Sequence, residues 1–174
     1  IAPNGGSLKS MIDSNAASLR KIYNETFEAN FYSSVRTITK ARRVYIIGAR
    51  SSYSIAVYLG SILNNLQDNV ILLRQGDFSA FADVTSEDSL IGFARYTRIT
   101  CETAKYFYDK GCTVISITDS YTSPIALSSE NVLSVSNASG YPVAEAMSIA
   151  VYLTTAVAQV NPQKSLERME NMEK

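Results

Sequence analysis

The sequence predicts an α/β fold, a three-layer α-β-α sandwich around a five-stranded parallel sheet, preceded by N-terminal helices. Five short apolar runs recur along the chain. Each is nearly continuous rather than alternating, which is typical of parallel strands covered on both faces. Helical patterns separate the runs, as the crossovers between parallel strands require. The chain has 174 residues, 46% of them hydrophobic, so one domain can bury a sizeable core.

Residues 1–43 are predicted to form a helical arm or linker and residues 44–174 the α/β domain, and we expect the two to make up a single globular unit. Apolar residues recur at helical spacing from Leu8 to Ile38, which indicates two helices or one bent helix. An arm of this kind is typical of a contact with a partner subunit or another domain. The chain begins at Ile1 rather than Met, and we expect it to be part of a longer protein.

The remaining elements follow from apolar patterns and turn residues. The predicted strands are residues 44–47, 70–73, 90–93, 114–117 and 132–135. Amphipathic helices are predicted at 54–66 and at 98–110, where Gly111 provides the C-terminal cap. Shorter helices are predicted at 78–84 and 124–128, and a long apolar helix at 143–160 that Asn161-Pro162 ends. The charged tail, residues 163–174, is predicted to be helical or frayed.

Composition argues against several classes of function. The formal net charge is zero, which gives no global attraction to nucleic acid or to anionic lipid. The chain has no histidine, and Cys101 and Cys112 form no metal or redox motif, so we expect no cofactor, no metal and a cytoplasmic protein with free thiols. The apolar stretch 143–160 contains Glu145 and several hydroxyl side chains. We therefore expect a buried helix there and no membrane contact.

The first strand end carries a predicted anion site. Ligands of doubly wound sheets bind beyond the carboxyl ends of the strands, here residues 49–52, 93–97, 118–123 and 136–141. After Gly48, the turn places Arg50, Ser51 and Ser52 at the start of a helix. Free amides, serine hydroxyls and a guanidinium at a helix start favour an anion such as phosphate. Capping of the helix by a serine is the alternative.

Further candidates follow the third strand and begin the last helix. Arg95 is expected to bind a carboxylate or phosphate, or to form a surface ion pair with Asp119 or Glu145. Tyr96 can stack on a ligand, and Thr97 adds a hydroxyl. Glu145 is the one carboxylate of the apolar helix. It is either a general base or sugar-hydroxyl acceptor in the pocket, or a paired structural acid.

Three segments resemble the sugar isomerase (SIS) domain as it occurs in RpiR-type transcriptional regulators. IIGARSSYSIA, residues 46–56, is similar to the family's Gly-x-Gly-x-Ser-x-x-x-Ala turn. DSLIGFARYTRIT, residues 88–100, stands at the place of its Ser-x-Ser-Gly-x-Thr loop. GCTVISITDSYTSPIA, residues 111–126, is the most specific of the three segments. The resemblance covers residues 7 to about 160.

This resemblance implies a flavodoxin-like domain that binds phosphorylated sugars and forms homodimers or homotetramers. It also implies a helix-turn-helix DNA-binding domain, which we expect to precede this chain in the full protein. By position, Ser52 matches the phosphate-contacting serine of the first turn, and Thr97 matches the threonine of the second loop.

The sequence also departs from the family pattern. Arg50 replaces the second glycine of the first turn. Gly92 and Ala94 stand where the second loop has its two serines, and Arg95 stands where it has its glycine. Hydroxyl contacts are thereby lost and guanidinium groups gained. The predicted ligand is therefore a phosphorylated sugar, or a sugar acid held by arginine.

Two functions fit these features. The first is the effector-sensing domain of a transcriptional regulator, with no catalytic residues and DNA contacted only through the preceding domain. The second is a phosphosugar isomerase or related enzyme with Glu145 as base. Isomerases of this family often use histidine, and its absence here favours the sensor. The predicted ligand-binding residues are Arg50, Ser51, Ser52, Arg95, Tyr96, Thr97 and Glu145.

Overall fold

Six α-helices and five strands make up the part of the chain that the structure, a computed structural model, describes: residues 7–74, 76–94, 96–135 and 142–172. The helices are α1 (Leu8–Ile22), α2 (Glu25–Lys40), α3 (Ser51–Leu66), α4 (Arg98–Asp109), α5 (Val143–Val160) and α6 (Pro162–Met172). The strands are β1 (Val44–Gly48), β2 (Val70–Leu72), β3 (Ser89–Phe93), β4 (Thr113–Thr118) and β5 (Asn131–Ser134). Two short 3₁₀ helices lie at Phe78–Phe81 and Ala126–Ser128.

All five strands pair in parallel in one sheet, in the order β2-β1-β3-β4-β5. From β1 the chain passes through α3 to β2 on one side, whereas from β3 it passes through α4 to β4 on the other. The strand order therefore reverses between β1 and β3, and α3 and α4 both begin near this point. The predicted fold class is confirmed.

Helices cover both faces of the sheet and give the three layers. Ile46, Ile91 and Ile115 belong to the core on the face that α2, α3 and α5 cover. Their sequence neighbours Leu90 and Val114 belong to the other core, with α4 and the two 3₁₀ helices. Because successive strand residues point to opposite faces, an unbroken apolar run supplies both cores at once.

The arm and α4 agree with the predicted helices. The arm consists of two helices that separate at Tyr23–Asn24, and the Asn24 side chain caps α2 by accepting from the Phe27 amide at 2.9 Å. Gly111 follows α4 with a φ of 79°, and the next amide, of Cys112, donates to the Phe107 carbonyl.

Other boundaries differ from the prediction. Helix α3 begins three residues earlier than predicted, at Ser51, because the turn at Arg50 brings both serines into the first helical turn. The segments 78–84 and 124–128 contain single 3₁₀ turns rather than α-helices. Helix α6 begins at Pro162, a residue suited to a first helical turn.

By length and composition alone, α5 could cross a membrane. In this fold its residues Ile149, Leu153 and Val157 are buried in the core with α2 and α3. The apolar character of α5 is therefore explained by its place in the core.

An ion pair joins the connection before β1 to the segment before β3. The buried carboxylate of Asp88 accepts from Arg42 Nε at 2.9 Å and from Arg42 Nη2 at 2.6 Å. It also accepts from the Thr85 amide at 2.9 Å. Three charge-assisted bonds thus compensate the burial of this carboxylate and align the amino ends of the central strands.

Candidate functional site

A cavity of about 1010 Å³ lies at the carboxyl ends of β1, β2 and β3, where the strand order reverses. Gly48 ends β1, Arg74 follows β2, and the remaining wall comes from the starts of α3 and α4. Its lining residues are Gly48, Arg50, Tyr53, Arg74, Tyr96, Thr97, Arg98 and Ile99. The sheet topology thus places the cavity where open α/β folds bind ligands.

The cavity is positively charged. Three guanidinium groups line it, and no acidic side chain does so within the described ranges. Arg98 shares its charge with Glu102 on the next helical turn, at 2.6 Å. Arg50 and Arg74 are exposed, and no carboxylate in the described part of the chain forms an ion pair with either. Two uncompensated positive charges in one cleft attract an anion.

The starts of two helices reinforce this charge. Helix α3 begins at Ser51 and α4 at Arg98, and neither N-cap residue, Arg50 or Thr97, caps its helix with its side chain. The first-turn amides give a helix start a partial positive charge. The serine capping considered for α3 is not observed, since Arg50 occupies the N-cap position.

Arg50 has a backbone conformation that favours glycine. Its φ of 56° and ψ of −125° make it the one non-glycine residue with positive φ in the described segments. Such a conformation costs an L-residue on the order of 1–3 kcal/mol. The nearby Gly48 is required for a different reason: a Cβ there would lie 2.5 Å from the Ser52 carbonyl oxygen. The turn is therefore tight, and its second residue is strained while its guanidinium lines the cavity.

The two predicted serines do not line the cavity with Arg50. Ser52 is buried, and its hydroxyl accepts from the Ala49 amide at 3.1 Å. The same hydroxyl lies 2.8 Å from the Ala49 carbonyl and 3.0 Å from the Phe93 carbonyl, as a donor. Ser51 is exposed at the start of α3. Ser52 therefore joins the turn after β1 to the end of β3.

Of the other predicted residues, only some line the cavity. Tyr96 and Thr97 line the cavity, as the prediction for the third strand end requires. Glu145 is only 1% exposed in the first turn of α5 and is not among the described lining residues. Arg95 and the predicted strand-end segment 136–141 lie outside the described residues.

The positions aligned with the two loop serines of the family do not face the cavity. A Cβ at Gly92 would meet Ile125 Cδ1 at 2.6 Å and Ile47 Cγ2 at 3.8 Å, both in the core on the α4 side. Ala94 is buried in the same core. A side chain at Gly92 would point into this apolar core, and neither position is among the described lining residues of the cavity.

Sequence reasoning missed Arg74, Tyr53 and Ile99. It also left Arg98 out of the predicted site, whereas the structure places this exposed side chain in the cavity wall. Arg74 is the second residue after β2, just as Arg50 is the second residue after β1. This position at a strand end could have identified Arg74 as a candidate from the sequence.

The comparisons with known proteins agree on one domain type. The family model described as the SIS domain matches residues 37–161. No match was found among curated proteins.

Three solved structures illustrate the structural similarity. The sugar isomerase domain of an RpiR transcription factor from Sphaerobacter thermophilus has 25% identity and a TM-score of 0.80, with 95% of this chain and 94% of that chain covered. The Vibrio vulnificus NanR protein complexed with ManNAc-6P has 17% identity and a TM-score of 0.76, covering 94% and 67%. A hypothetical protein from Methanococcus jannaschii, with an inferred 3-hexulose-6-phosphate isomerase function, has 14% identity and a TM-score of 0.74, covering 91% and 97%.

Proposed function

This chain belongs to the SIS domain family, and on that premise we propose that it is the effector-sensing domain of a transcriptional regulator. The effector is a phosphorylated sugar or a related anionic carbohydrate metabolite. The observation that carries the proposal is the cavity at the carboxyl ends of β1, β2 and β3, where Arg50 and Arg74 have no acidic partner in the described part of the chain.

The chemistry of the cavity suits such an effector. Guanidinium groups and the start of α4 recognise a phosphate or carboxylate, and the Thr97 hydroxyl supplies a further polar contact. Tyr53 and Tyr96 add aromatic surface for the apolar face of a sugar ring. The cavity is also as large as the sites that hold small metabolites.

Similarity to regulators supports the sensing role. An RpiR transcription factor domain shares the fold over 95% of this chain. NanR, which shares the fold, was solved with a sugar phosphate bound. We infer that this domain acts in the cytoplasm as a homodimer or homotetramer. Effector binding shifts its subunit packing and thereby changes DNA binding by a helix-turn-helix domain of the full protein.

Thermal-shift titration tests the binding step. A panel of sugar phosphates, sugar acids and polyols is added to the wild-type domain, to Arg50→Ala and to Arg36→Gln. Arg36 is an exposed arginine of α2, and the pocket it lines lies at the amino ends of β3 and β4. Binding raises the melting temperature by mass action. We expect anionic sugars to stabilise the wild type and Arg36→Gln, and to stabilise Arg50→Ala less. Stabilisation by neutral polyols alone, or by no compound, would contradict the proposal.

A phosphosugar isomerase is the second candidate. Proteins described as phosphosugar isomerases share the fold, and Glu145 is a buried carboxylate that directly follows the loop after β5. Its burial disfavours a general base, because a base must reach the proton that it abstracts. NMR of sugar phosphates incubated with the domain distinguishes the candidates. Turnover that Glu145→Gln abolishes would establish the enzyme, whereas we expect no turnover.

A further inference from the structure

We propose that the effector carries two anionic groups, a phosphate at the start of α4 and a second anion, carboxylate or phosphate, held by Arg50 and Arg74. This inference rests on the proposed function and specifies the chemical class of its ligand.

The register of the sheet places the two arginines just beyond the carboxyl ends of neighbouring strands. Ile46 of β1 pairs with Leu72 of β2, and the Leu73 amide donates to the Ile46 carbonyl at 2.8 Å. Continuing this register puts Arg74 level with Gly48, two residues before Arg50. Neighbouring strands lie about 4.8 Å apart. Both side chains therefore leave the same edge of the sheet on adjacent strands, and both line the cavity.

The start of α4 forms a separate part of the cavity wall. Tyr96, Thr97 and Arg98 follow β3, which lies on the other side of β1 from β2. A phosphate bound by the first-turn amides of α4 and the Thr97 hydroxyl would sit at the β3 side. It would leave Arg74 at the end of β2, and Arg50 at the end of the intervening β1, for another group of the ligand.

The charges of this pair indicate what that group is. No carboxylate in the described ranges forms an ion pair with Arg50 or Arg74, so both guanidinium charges remain available to an anion in the cavity. Arg50 also occupies a backbone conformation that glycine would adopt without strain. An arginine at a strained position of a cavity is expected where its side chain contacts the ligand.

Calorimetric titration tests the inference with four probes at one ionic strength. Glucose 6-phosphate carries one phosphate, gluconate one carboxylate, 6-phosphogluconate both groups, and fructose 1,6-bisphosphate two phosphates. We expect 6-phosphogluconate or fructose 1,6-bisphosphate to bind on the order of tenfold more tightly than glucose 6-phosphate, as one added charge-assisted contact provides. The stronger of the two identifies the second anion.

Variants test whether the Arg50 and Arg74 side chains provide the tighter binding of the doubly anionic probes. Arg74→Gln is expected to abolish the tighter binding of the doubly anionic probe relative to glucose 6-phosphate. Arg98→Gln is expected to weaken the binding of all phosphorylated probes equally. Arg36→Gln also removes one positive charge, but at the opposite edge of the sheet. It is expected to change neither the affinity for glucose 6-phosphate nor that for the doubly anionic probe.

The outcomes separate the two proposals. If glucose 6-phosphate or gluconate alone binds as tightly as the doubly anionic probes, the inference fails and the proposed function stands. An advantage that persists in Arg74→Gln also overturns the inference, because a general charge effect would then explain it. If none of the four probes binds, both proposals fail.

Discussion

The Ser52 hydroxyl lies 3.0 Å from the carbonyl oxygen of Phe93, so the first turn of α3 is tied to the last residue of β3. The same hydroxyl accepts from the Ala49 amide. The turn that carries Arg50 and the strand that leads to Tyr96 and Thr97 are thereby held in one geometry. The shape of the cavity, which lies where the strand order reverses, therefore depends on this buried contact.

Ser52→Ala is expected to lower the free energy of unfolding by about 1–3 kcal/mol, because it leaves the buried Ala49 amide without its acceptor. Urea denaturation monitored by circular dichroism measures the change. Ser51→Ala is the matched control, since Ser51 is exposed, and its effect should stay within about 0.5 kcal/mol. Equal stability of the two variants would show that the Ser52 contacts do not hold the turn.

Arg50→Gly is expected to stabilise the fold by about 1 kcal/mol while it weakens anion binding. Glycine adopts the φ of 56° without strain, although part of the gain is offset by its greater freedom in the unfolded chain. Arg50→Ala removes the same guanidinium but keeps the strain, so it should lose binding equally without the gain in stability. The melting temperature measures the stability of both variants, and calorimetric titration measures their affinity for the anion. A destabilised Arg50→Gly would mean that the conformation carries no strain.

Gly92→Ala is expected to destabilise the protein by about 1–3 kcal/mol, because the new methyl group would meet Ile125 Cδ1 at 2.6 Å. Ile125→Val removes that carbon and by itself should cost about 0.5–1.5 kcal/mol. In the double variant the two costs should fall short of their sum by at least about 0.5 kcal/mol. If urea denaturation shows that the two losses of stability are strictly additive, residue 92 does not contact Ile125.

Asp88→Asn is expected to lower the free energy of unfolding by about 2 kcal/mol, because it removes the carboxylate that pairs with Arg42 in a buried setting. The control is Asp109→Asn, which breaks an exposed pair with Lys105 on α4. Its cost should stay below about 1 kcal/mol. Thermal and urea unfolding of both variants measure the difference, and comparable losses would refute a special role for the buried pair.

Stability at high pH should depend on Cys112. Burial raises the pKa of its thiol to about 11, and the charges of Asp88 and Glu130 act in the same direction. The unfolded chain loses this proton at its ordinary pKa of 9.0, so unfolding is favoured once the pH exceeds that value. The contribution is complete below about pH 9 and is lost as the pH rises through about 11. Cys112→Ala should lose less stability than wild type over that interval, and parallel pH profiles would contradict this.

Much of the fold could be predicted from local patterns. Continuous apolar runs identified the parallel strands, because each strand is covered on both faces, and α5 has the predicted bounds Val143–Val160. The start of α3 was missed by three residues. A non-glycine residue with positive φ is rare, so local propensity gave no reason to begin the helix directly after Arg50.

The candidate site was less predictable. Arg50, Tyr96 and Thr97 line the cavity at the predicted strand ends. Ser52 faces inward because it lies in the first turn of a helix that packs against β3. Arg74 could join them only once β2 was known to lie beside β1, and adjacency of strands is a long-range property of the sheet.

By itself the sequence determined the fold class, the order of helices and strands, and the sheet edge where a ligand would bind, because these depend on hydrophobic periodicity and on residues adjacent in the chain. The tertiary structure decided which side chains share the cavity. Strand order and register bring Arg50 and Arg74 together although 24 positions separate them in the sequence, and local patterns carry no information on which strands become neighbours.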